Sequence, residues 1–176
     1  MNLVDHLELH LGPIQRGFPG GGLQVAEFRD GPVAGSSTFV TLGMSHHELS
    51  VHDDQTVRQE LLIACREPVP KANVASVLLD LGEQAITEHS AYLRGDVIGP
   101  RGPMFPSGEL CAVYIADPVS FPEAFARFEG ISLIWAVPIT VAEAHFVGEQ
   151  GWRAFEQLLV DGDPDLLDLE RPSVVE

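Results

Sequence analysis

Within sixteen residues, FVTLGMSHHELSVHDD (Phe39–Asp54), stand three histidines, His46, His47 and His52, and three carboxylates, Glu48, Asp53 and Asp54. Imidazole nitrogens and carboxylate oxygens are the donors that a zinc-like divalent ion takes. A metal-dependent enzyme using His46, His47 and His52 with Asp53 or Asp54 is therefore one reading. The spacing matches no structural zinc pattern, and no cysteine lies near. His46 and His47 are neighbours, so in an extended chain their side chains diverge. A solvated loop following a strand is the expected reading, with no metal ligands and no cofactor. In HLELH, His6 and His10 share a helical face, but Glu8 is not where an HExxH motif holds its base. Ser45 beside His46 is adjacency, not a nucleophile–base pair. Glu143 and Glu149 lie near each other in sequence but do not converge. GFPGGG (Gly17–Gly22) has no Gly-Lys-Ser/Thr, and the single lysine, Lys71, lies elsewhere. It is read as a flexible turn. No GxSxG elbow occurs. The sequence offers no acid, base and nucleophile set, so the chain is expected not to be an enzyme.

The charge balance points the same way. Twenty-six acids face ten bases, a net charge of -16 over 176 residues. Such a surface repels phosphate backbones, which argues against nucleic acid as a partner. It would steer a basic protein instead. No apolar run reaches the length of a membrane span. MNLVDHLELHL lacks the basic start and apolar centre of a signal peptide. Cys65 and Cys111 sit in apolar runs without CxxC spacing and read as buried thiols, which suits a reducing cytoplasm.

The elements that must position these residues follow from periodicity. Leu3, Val4, Leu7 and Leu11 share one helical face. LQVAEFRD and STFVTLGM read as strands of a hairpin. VRQELLIACRE (57–67) reads as a third strand whose continuous apolar centre implies burial on both faces. Val74, Val77, Leu78, Leu81, Ala85 and Ile86 keep helical spacing from Asn73 to about Ser90. YLRGDVIGPRGPMFPSG is a long loop, heavy in Gly and Pro, of the kind that often carries function. ELCAVYIAD and ISLIWAVPI read as two more strands. The former would pair across a dimer if it lay at a sheet edge. Thr140 and Glu143 form a capping box, opening one helix that runs to Gly162. The order predicts an α+β fold with a mixed, mainly antiparallel sheet packed by a few helices, in one domain spanning 1–176.

Several segments together resemble the Suppressor of fused family. They are TFVTLGMS (Thr38–Ser45), RQELLIACR (Arg58–Arg66), YLRGDVIG (Tyr92–Gly99), IWAVPITVAEAHFVGEQGWRAFEQLL (Ile134–Leu159) and DLERPSVV (Asp168–Val175). The resemblance runs from Phe39 to Val175. It implies the fold of the family's N-terminal domain and a non-enzymatic, protein-binding role. Eukaryotic members hold a zinc-finger transcription factor by adding a partner strand in a groove between two domains. Many bacterial members look like immunity proteins that neutralise a toxin. This chain is expected to be a bacterial, cytoplasmic member that comprises only the first of the two domains. The resemblance also implies that Thr41, Gly43, Met44 and Ser45 end a core strand, with Met44 packed inward and Gly43 in an unusual backbone conformation. It places Gly95 and Asp96 at the partner, with Tyr92 and Phe105 as aromatic candidates beside them. DLERPSVV is expected to latch the C-terminus, with Arg171 pairing locally.

Overall fold

A computed structural model describes all 176 residues. Four helices and nine strands follow in the order α1 (Leu3–Leu11), β1 (Ile14–Pro19), β2 (Gln24–Arg29), β3 (Ser36–Leu42), β4 (Leu49–Ser50), β5 (Thr56–Arg66), α2 (Lys71–Glu88), β6 (Val97–Ile98), β7 (Leu110–Ala116), β8 (Arg127–Phe128), β9 (Ile131–Thr140), α3 (Val141–Gln150) and α4 (Trp152–Gly162). All nine strands join one sheet, whose main order is β1-β2-β3-β5-β9-β7-β6. Only β5 and β9 run parallel among the paired strands. The α+β expectation therefore holds.

The period-2 alternation of side chains splits the core into two layers. On one face Phe39, Leu61, Ile63, Cys65, Ile115 and Ala136 pack against Val74, Leu78, Leu81 and Ala85 of α2. On the other, Phe28, Leu62, Tyr114, Trp135 and Val137 pack against α1, α3 and α4 through Leu7, Ala144 and Phe155. The central strand β5 feeds both layers, which is why its apolar run is unbroken.

Three expectations need correction. Gly17–Pro19 is strand, not turn. It closes β1, where Gly17 sits opposite Ala26, and only Gly20–Gly22 turn the chain. An edge strand tolerates Gly and Pro because its outer amides pair with nothing. Residues 141–162 form two helices rather than one. Gly151, at φ 87°, ends α3 and starts α4, so the apolar face that spans it in sequence bends in space. Finally, Leu110–Ala116 is not the sheet margin, because β6 pairs along Val113 and Tyr114.

The TLGMS motif acquires a physical cause. Glu60 of β5 is fully buried. One of its oxygens accepts from the Thr41 hydroxyl at 2.6 Å. The other accepts from the Ser45 hydroxyl at 2.6 Å and from the Gly43 and Ser45 amides at 3.0 Å each. Thr41 Oγ1 in turn accepts from the Leu61 amide. Gly43 adopts φ +116°, a region that disfavours any side chain, so that its N–H can turn onto the carboxylate. Met44 is fully buried, as expected.

Candidate partner-binding site

The loop after α2 is pinned before it reaches the surface. Gln59 of β5 donates from Nε2 to the Tyr92 carbonyl at 2.7 Å and accepts from the Tyr92 amide at 3.1 Å. The Tyr92 hydroxyl donates to the Leu81 carbonyl of α2 at 2.8 Å. Burial, with Glu88 adding to it, pushes the Tyr92 phenol up to about 12. Tyr92 is 8% exposed and Phe105 is 5% exposed, and both belong to the α2-side core. Neither ring is free to anchor a partner. Loop residues can be core when the loop itself closes over a sheet face, and sequence alone does not mark that.

Gly95 and Asp96 emerge from this anchored start. The Gly95 amide donates to the Ile115 carbonyl and the Asp96 carbonyl accepts from Ile115, both at 2.9 Å. Asp96 Oδ2 accepts from the Leu93 amide at 2.8 Å, closing the turn. The other oxygen, Oδ1, bonds to nothing in the chain, and the residue is exposed. Asp96 thus both caps the turn and presents a carboxylate. Gly95 has φ +94°, and a Cβ there would lie 2.6 Å from Trp152 Cγ. Only glycine lets α4 approach the turn this closely.

Arg94 completes the brace. Its guanidinium lies 4.9 Å above the Trp152 ring. It donates to both Glu156 oxygens, from Nε at 3.0 Å and from Nη2 at 2.5 Å, and Asp117 lies 3.5 Å away. Glu156 also accepts from the Tyr114 hydroxyl at 2.8 Å. The Arg94 hydrogen bonds hold Glu156 below the usual carboxylate range, even though burial opposes this. Burial and the Glu156 bond push Tyr114 up. Trp152 and Glu156 are four apart on α4, so they share a face, and Arg94 directly precedes Gly95. That spacing was a usable signal for both, but it needs the boundary at Gly151 to be known.

The turn and β6 face α3 across a groove of about 630 Å³, with Val97 and Pro100 on one wall and Ala144, His145 and Gly148 on the other. β6 is the last strand of the sheet on this side and pairs only with β7. Its outer edge has no ladder partner.

The model of the Suppressor of fused protein family matches residues 21–172. The chain belongs to this family. A Suppressor of fused homologue from Neisseria gonorrhoeae has the same fold, with a TM-score of 0.82 at 17% identity, covering 99% of this chain and 95% of that one. A chain of the Sufu–Fu complex aligns with a TM-score of 0.73 at 15% identity, over 98% of this chain and 90% of that one. Drosophila Suppressor of Fused aligns with a TM-score of 0.65 at 16% identity, over 98% of this chain. This chain spans half the length of the Drosophila one. No curated protein matches the sequence.

The histidines of the opening motif lie elsewhere. His46 and His52 are exposed on separate turns, and no group of three or more His, Cys, Asp or Glu side chains converges to hold an ion. Ser45 donates its hydroxyl hydrogen to Glu60, not to His46. His6 contacts the Phe125 carbonyl through Nε2 at 3.1 Å and meets the His10 ring edge-on. No helix is long and apolar enough to cross a membrane.

Proposed function

We propose that this chain is a non-enzymatic protein-binding module acting as one domain in the cytoplasm. It inhibits or neutralises a protein partner in stoichiometric complex, in the manner of a toxin-immunity protein. The observation that carries this reading is Asp96. It is an exposed carboxylate on a turn fixed from β5, β7 and α4, beside an open strand edge. A pre-organised site avoids the ordering entropy that a mobile loop would lose on binding. The edge of β6 suits an added partner strand, whose backbone pairs there while Asp96 meets a donor or a cation. That a solved neighbour is a Sufu–Fu complex supports a protein as the partner class. The charge of -16 favours a basic one and a fast encounter.

The test is affinity capture from the native cell by the wild-type chain and by Asp96→Arg. The reading expects one stoichiometric protein, whose association slows steeply with salt, captured by the wild type and lost with the variant. Equal capture by both would move the site away from Asp96. A partner whose association ignores salt would remove the steering argument.

A further inference from the structure

On the other side of the Arg94 brace the sheet carries a second cleft, of about 640 Å³. Tyr114, Trp135 and Val137 lie at its floor, α4 forms one wall, and the segments 117–120 and 163–167 form the others. Val119 and Val160 line it and are 80% and 73% exposed. They are two of only five large apolar side chains that the chain leaves in water. The Trp135 indole N–H is buried and has no acceptor. The volume suits one or two bulky side chains, and the lining is mainly apolar.

The charges around it are unbalanced. Both cations at the cleft are already paired, Arg66 with Asp165 and Arg94 with Glu156 and Asp117. Asp163 lines the same cleft without a cation, so four acids face two arginines there. An acidic or plain apolar occupant would leave that excess unmet. We propose that this cleft is a second docking surface, taking a short segment of a protein partner in which a bulky apolar residue is flanked by lysine or arginine. The apolar residue enters between Val119 and Val160, and the basic flank meets Asp163. The surface stands independently of the Asp96 groove, from which Arg94 and Trp152 separate it.

The probe is a random dodecapeptide library displayed on phage and selected against the full chain at low salt. Enriched peptides are then synthesised and titrated against the wild type, Val119→Ser/Val160→Ser, Asp163→Lys and Asp96→Arg. The proposal expects enriched sequences with an apolar residue beside Lys or Arg. The double serine variant should weaken them more than about tenfold, since both valines lose contact with the peptide. Asp163→Lys should weaken them severalfold at low salt and little at high salt. Asp96→Arg should leave them within about twofold. All the substituted side chains are exposed, and matching circular dichroism spectra check that the fold is kept. No enrichment, a consensus without the apolar–basic pairing, or peptides sensitive to Asp96→Arg but not to the serine variant would overturn it.

Discussion

Glu143→Ala should be the most damaging single change outside the apolar core. Glu143 and Arg171 are 0% and 3% exposed. They meet through two bonds, Nη1 to Oε1 at 2.7 Å and Nη2 to Oε2 at 2.9 Å. The Arg171 guanidinium otherwise has only the Pro138 and Pro172 carbonyls, and its Nε–H has no acceptor. Removing the carboxylate strands a buried cation, which costs about 3–5 kcal/mol. The same carboxylate accepts from the Thr140 amide, closing the capping box of α3, and from the Val174 amide. Loss of the cap adds about 1 kcal/mol. For a chain of this size each kcal/mol lowers Tm by about 2–4 °C, so the expected fall is roughly 8–24 °C. Thermal unfolding followed by circular dichroism at neutral pH measures it. Glu143→Leu with Arg171→Met removes both charges and should lose less than half as much. A fall under about 3 °C for Glu143→Ala, or a double variant that loses the sum of its singles, would refute the reasoning. The pH dependence has a definite sign. Burial pushes the Glu143 carboxyl up, but the bonds from Arg171, Thr140 and Val174 outweigh it and hold the carboxyl below its ordinary 4.5. The unfolded chain therefore takes the proton first as pH falls. The contribution is complete above about pH 4.5 and fades as pH drops toward the folded value. Wild type should lose Tm faster than the double variant in that acid range.

Other outcomes follow from the same geometry. Glu60→Ala leaves the Thr41 and Ser45 hydroxyls and the Gly43 and Ser45 amides without their acceptor. It should lower unfolding free energy by at least about 3 kcal/mol in urea titration, and a loss under 1 kcal/mol would show that the turn relaxes freely. Gly95→Ala forces a Cβ toward Trp152 at φ +94° and should cost about 1–3 kcal/mol while shifting the tryptophan emission. An unchanged spectrum would contradict the packing. Burial holds the Cys65 thiol up at about 12, so it should react with a thiol reagent only at the rate of unfolding. Modification of Cys65 in the folded chain within seconds would contradict its placement.

The layers were readable wherever one period dominated. β5 showed its double burial as an unbroken apolar run, and Thr140 with Glu143 announced the start of α3. What escaped the sequence depended on contacts between distant segments. β1 holds Gly17 and ends at Pro19, a composition that reads as a turn, and it is a strand only because β2 pairs with it. Arg171 was expected to pair nearby, yet its partner lies 28 residues away on α3, so the latch closes over the helix start. At the candidate site, Asp96 and Gly95 are proposed through a family resemblance. Arg94, Trp152 and Glu156 were missed because they act as a unit only after α4 folds back on the turn. Tyr92 and Phe105 looked like anchors because aromatics in a loop suggest a surface, whereas here the loop covers the core. The histidine loop stands out by composition alone, and its imidazoles and carboxylates form no convergent group.

The most direct measurement is hydrogen–deuterium exchange of the chain alone and in complex with its captured partner. If a partner strand adds at β6, those amides of residues 97–99 that face away from β7 should gain strong protection, with smaller gains on α3 across the groove. Protection confined to other surfaces, with residues 97–99 exchanging as in the free chain, would contradict the Asp96 groove as the binding site.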